Sequence, residues 1–62
     1  MRITLNQYVD FCERLEKDPE PYLRVGQRFL NMFFSDVNDP ELYYETDDST
    51  CHEMILHRYV TT

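Results

Sequence analysis

The run Cys51-His52-Glu53-Met54-Ile55-Leu56-His57 gathers the residue types of a zinc or acid–base site into one short stretch. A zinc-hydrolase helix reads His-Glu-x-x-His. Side chains four apart share a face and can grip one ion, with the glutamate as general base. Here the histidines are five apart, which turns them about 140° from each other around a helix. His52 falls amid Ile55, Leu56, Tyr59 and Val60, His57 points away, and Cys51 joins neither. The expectation is a packed His52, a solvated His57 and no metal centre.

A second stretch, Asp36 to Asp47, begins like a calcium loop, with Asp36 and Asn38 two apart. Such a loop needs Asp or Asn in its fifth slot, Gly in its sixth and a bidentate Glu in its twelfth. Pro40, Glu41 and Asp47 stand there instead. Without the glycine the backbone does not turn sharply around an ion, which leaves only weak, nonspecific attraction for cations. Nucleophilic chemistry is no better served. Cys12 lies on an apolar stripe, where a thiol acts as a small hydrophobe. Cys51 sits near a helix N-terminus, but the surrounding acids oppose any lowering of its pKa. Gly26 is the single glycine, so there is no glycine-rich phosphate cradle. The expectation is a protein that is not an enzyme and carries no cofactor.

The elements that would hold these residues read as helices. Thr4-x-x-Gln7 is a capping box. After it Leu5, Tyr8, Val9, Phe11, Cys12 and Leu15 share one side of a helix over roughly residues 4 to 17. The segment Asp18-Pro19-Glu20-Pro21 interrupts, and either Asp18 or Glu20 can open a second helix running to about Ser35. On that helix Arg24, Gln27, Arg28, Asn31 and Ser35 form a narrow polar arc. The rest is apolar or Gly26, which would let another backbone come close. The polar arc is either a solvated face or a set of hydrogen-bonding groups that fix the acidic segment.

Asp39 as N-cap, Pro40 at the first helical position and Glu41 after it predict a short helix. Leu42, Tyr43 and Tyr44 are its candidate anchors, with the buried one left open. Thr50-x-x-Glu53 reads as another capping box, starting a last helix to about Val60. The fold class expected is therefore all-α: one small domain over residues 1–62, built of three main helices and a short one.

Sixty-two residues suffice for one small domain, and a chain this size buries only about 60% of its unfolded surface. Nine aromatic residues and no alanine or tryptophan mean that packing, not helix propensity, must hold the helices. No secretory signal or membrane span is read in the sequence. The expected setting is cytoplasmic, with Cys12 and Cys51 as free thiols.

The net charge of −6 is uneven. Residues 1 to 35 carry five acids and five bases, whereas residues 36 to 53 carry seven acids and no Lys or Arg. That pattern disfavours direct binding to nucleic acid or to an anionic membrane, both of which need basic residues.

Arg24-x-Gly26-Gln27-x-x-x-Asn31, followed by Asp39-Pro40-Glu41-Leu42 and further acids, resembles a group of short acidic proteins encoded by tailed bacteriophages and prophages. The resemblance covers roughly residues 5 to 48, and the last helix rests on its pattern alone. It implies a phage or prophage origin and a host cytoplasm, and it marks Gly26, Gln27 and Asn31 as fold-defining. It carries over no activity and no catalytic residue.

The function expected is that of an accessory protein that binds a protein partner with a basic surface. Asp36, Asp39, Glu41, Tyr43, Tyr44, Glu45, Asp47 and Asp48 are the candidate contact residues. Carboxylates would stand where phosphates otherwise sit, and a tyrosine would supply the apolar anchor. The alternative is a self-associating helical module that pairs with its own copy through the wide apolar arc of the second helix.

Overall fold

The computed structural model describes residues 2–61. In chain order the elements are β1 (Ile3–Thr4), α1 (Leu5–Lys17), α2 (Val25–Phe33), α3 (Pro40–Tyr43), α4 (Asp48–Tyr59) and β2 (Val60–Thr61). The fold is mostly helical but not purely so. β1 and β2 pair in parallel, with Ile3 opposite Val60 and Thr4 opposite Thr61. This corrects the all-α expectation. The cause lies in two β-branched dipeptides, Ile3-Thr4 and Val60-Thr61, which suit extended backbone. Ile3 and Val60 bury their side chains in the core, and the Arg2 guanidinium donates to the Val60 carbonyl at 3.0 Å.

α1 starts where its capping box places it. The Gln7 N–H donates to Thr4 Oγ1 at 3.1 Å, and the Thr4 N–H donates to Gln7 Oε1 at 2.8 Å. Phe11 is buried, with Tyr8, Cys12 and Leu15 packed beside it. Leu5 and Val9 lie on the edge of the stripe and stay about half exposed.

α2 is shorter than the periodicity suggests, starting at Val25 rather than near Asp18 or Glu20. The residues ahead of Pro19 and Pro21 are pushed away from helical backbone. The chain instead makes a turn closed by the Leu23 N–H on the Glu20 carbonyl at 3.0 Å. Arg24 is extended, and Gln27 reaches back to accept its N–H at 3.2 Å. Ser35 lies beyond the helix, in the turn after Phe34.

Phe29 is the centre of the core. Its ring lies 5.3 Å from Phe11, 5.3 Å from Phe33, 5.8 Å from Phe34 and 5.5 Å from Tyr59. Rings at such separations contribute beyond the area they bury. Leu30, Leu42, Cys51 and Ile55 belong to the same buried core.

α4 also departs from the expected start. Asp47 is its N-cap, and Asp47 Oδ2 accepts from the Thr50 N–H at 2.9 Å and from Thr50 Oγ1 at 2.7 Å. Thr50 is thus inside the helix instead of capping it. An aspartate ahead of it supplies a charged acceptor at the positive end of the helix. No helix is long and apolar enough to cross a membrane among the described residues.

Candidate functional site

The imidazoles take different surroundings. His52 is half-buried and its Nδ1 lies 2.7 Å from the Tyr8 hydroxyl, while His57 is exposed. His52 sits at the margin of the buried face, not at its centre; Cys51 and Ile55 occupy the centre. The buried face is turned toward Cys51, which the sequence pattern leaves out of the apolar arc, and Val60 belongs to β2. Among the described residues, no three His, Cys, Asp or Glu side chains are grouped to hold a metal ion.

Both thiols are free. Cys51 is fully buried, and its Sγ lies 3.6 Å from the Glu45 carbonyl. Burial pushes its pKa up, opposed by the backbone of Gly26 and reinforced by the carboxylates of Glu45, Asp48 and Asp47. Such burial favours the protonated thiol, which packs as a small apolar group.

The acidic segment is tied to the body of the protein chiefly through Asp39. Its carboxylate caps α3, accepting the Leu42 N–H at 3.3 Å. It also accepts from Arg58 Nη1 at 3.1 and 3.2 Å, and from the Tyr59 hydroxyl at 2.6 Å. Burial raises the Asp39 pKa, but the bonds from Tyr59, Leu42 and Arg58 outweigh it and hold the carboxyl below the usual aspartate range. Arg58 pairs in addition with Glu41. Nothing in the sequence pattern points to Arg58 and Tyr59 for this role, for which the polar arc of the second helix is one of two expectations. In that arc Gln27 caps its own helix, and Arg28 makes only a long contact of 3.9 Å with Glu20.

The candidate contact residues divide into engaged and free groups. Asp39 and Glu41 are paired with Arg58. Glu45 Oε1 accepts the N–H groups of Thr46 and Asp47 at 3.1 and 3.2 Å. Asp47 caps α4, while Asp36 and Asp48 are exposed. Leu42 is the buried anchor of α3, and Tyr43 is half-buried against the core. Tyr44 is 64% exposed, and its ring meets that of Tyr43 edge-on at 5.0 Å. Leu30, Val37, Pro40, Tyr43 and Tyr44, with Asn38 and Asp39, line a groove of about 300 Å³.

Comparison with protein families, with curated proteins and with solved structures returns no match. The reading of function therefore rests on this geometry and charge.

Proposed function

We propose that the chain is a non-enzymatic accessory protein of phage or prophage origin, acting in the host cytoplasm by binding a protein with a basic surface. One observation carries the binding of a basic partner: residues 36 to 53 hold seven acids and no Lys or Arg. Asp36, Glu41, Asp47, Asp48 and Glu53 in that segment are exposed. Arg58 offsets Asp39 and Glu41 but leaves Asp36, Asp47, Asp48 and Glu53 facing solvent. Such a surface attracts basic partners over several ångströms and repels phosphates. It would act by occupying a surface that otherwise holds nucleic acid.

The test is capture of partners from bacterial lysate by tagged protein at low and high salt, with added duplex DNA as competitor. Binding should weaken with salt and with DNA, and should fall in a variant combining Asp36→Asn, Asp48→Asn and Glu53→Gln. Capture insensitive to salt, or equal capture by that variant, would overturn the electrostatic reading. Self-association is a second reading, favoured by Leu5 and Val9, one turn apart on α1 and about half exposed. On α2 only Met32 is comparably open, at 44%. Sedimentation at micromolar concentration separates the two.

A further inference from the structure

The groove between the end of α2 and α3 has a composition that selects one kind of occupant. Its walls are apolar and aromatic: Leu30, Val37, Pro40, Tyr43 and Tyr44. Its surroundings are anionic, because residues 36 to 45 contain four carboxylates and no base. Arg58, which reaches in from α4, is committed to Asp39 and Glu41. Asp39 itself is filled, with each oxygen accepting two bonds. Asp36, next to the lining residue Val37 in the chain but not itself in the lining, makes no such bond among the described residues and is exposed.

The geometry points to this groove as the seat of an arginine side chain from the basic partner, with Tyr44 as its stacking face and Asp36 as its counter-charge. This assignment rests on the proposed function and names the contact within it. A guanidinium is flat, permanently charged and weakly hydrated, so it lies on a tyrosine face while its N–H groups reach a carboxylate. Lysine brings a compact, strongly hydrated charge that matches an apolar wall poorly. A phosphate would be repelled by the net negative charge of residues 36 to 45, and a purely aliphatic side chain would leave Asp36 unused. Charge complementarity therefore favours arginine over the other candidates.

The test uses ¹⁵N-labelled protein titrated with a capped peptide of alternating arginine and leucine. Counterparts carry lysine or glutamate in place of arginine. Amide shifts should concentrate between Val37 and Tyr44, and affinity should run arginine above lysine, with glutamate inert. Tyr44→Ala should weaken arginine-peptide binding about fivefold, and Asp36→Asn should lessen its salt dependence. Tyr22→Ala, at a side chain 82% exposed elsewhere, should change nothing. Unperturbed amides in α1 and α4 would show that each variant is folded.

Shifts that spread over Asp47, Asp48 and Glu53 and ignore Tyr44→Ala would overturn the groove while leaving the acidic-surface reading intact. Equal binding of arginine and lysine peptides would also overturn it. So would concentration-dependent shifts of the same amides without peptide, since a second copy would then be the occupant. An absence of shifts with every peptide ends the groove assignment, and the lysate experiment then decides the broader reading by itself.

Discussion

Gly26 and Leu42 meet backbone to backbone: a Cβ on Gly26 would lie 2.1 Å from the Leu42 carbonyl oxygen. Gly26 does not adopt a positive φ, so the glycine is needed for space and not for its backbone freedom. The contact sets α3 directly on α2 and brings Leu42 into the core beside Phe29 and Leu30. It also places the acidic segment, since Asp39 and Tyr44 flank α3 on either end.

Gly26→Ala should therefore destabilise, although alanine in a helix ordinarily gains about 1 kcal/mol over glycine. Overpacking against a backbone atom has no side-chain rotation to relieve it, and a net loss of about 1–3 kcal/mol is expected. Asn31→Ala on the same helix is the control, because Asn31 is exposed. It should raise stability by about 0.5 kcal/mol. Urea unfolding followed by circular dichroism reads both. A stable Gly26→Ala protein would mean that α3 does not pack where it is described.

Acid should loosen the α3–α4 junction through Asp39. Its folded pKa lies below its ordinary value, held there by Tyr59, Leu42 and Arg58 against the opposing effect of burial. A depressed carboxyl contributes stability above its unfolded pKa of about 4, and loses that contribution as pH falls through the folded value. Asp47, also depressed by its bonds to Thr50, acts with the same sign. Asp39→Asn keeps a good capping residue but removes the charge. It should be less stable at neutral pH and show a shallower loss below about pH 4. Parallel acid curves for the two proteins would separate Asp39 from the acid response.

Alkali should act through Tyr8 and Tyr59, both pushed up to about 12. Burial is the first cause in each, followed by Cys12 for Tyr8 and by Asp39 for Tyr59. A phenol raised above its unfolded value of 10 contributes stability that is complete below that pH and disappears as pH climbs toward 12. Ultraviolet titration should thus show a late-ionising component from Tyr8 and Tyr59, together with loss of helix signal. Tyr8→Phe and Tyr59→Phe should each delete one late step. Each should also cost about 1 kcal/mol for the lost hydrogen bond to His52 or Asp39.

What could be read in advance was local. Thr4-x-x-Gln7 and Asp39-Pro40 encode their helix starts within one turn, and the structure uses both as written. Gly26 was legible as a place of close approach, though not that Leu42 would fill it. The start of α2 was obscured because periodicity continues through Pro21 and Tyr22, where the chain makes a turn ahead of the helix. The Asp39–Arg58 pair joins residues nineteen apart, and Ile3 meets Val60 from the opposite end of the chain. Neither partner announces the other by spacing. The only available signal for the sheet was a β-branched pair at each end, which also fits a frayed helix. At the site, composition located the acidic segment, but only the contacts divide Asp39, Glu41, Glu45 and Asp47 from the free Asp36 and Asp48.

The two cysteines should separate cleanly by reactivity. Cys12 is half-buried at the edge of α1, whereas Cys51 is fully enclosed and its thiol is driven toward the protonated form by burial and nearby carboxylates. A thiol reagent in native buffer should modify Cys12 within the mixing period and leave Cys51 until the protein opens. The slow reaction should accelerate with urea in step with global unfolding, because Cys51 lies where α2 and α4 pack and no local fraying reaches it. Cys51→Ser should lower stability by about 1–3 kcal/mol, since a hydroxyl is costlier to bury than a thiol unless its hydrogen bond is good. Its available acceptor, the Glu45 carbonyl, lies at a distance suited to sulfur. Equal native reactivity of both cysteines would require a path to Cys51 that the packing of Leu30, Leu42 and Ile55 closes off.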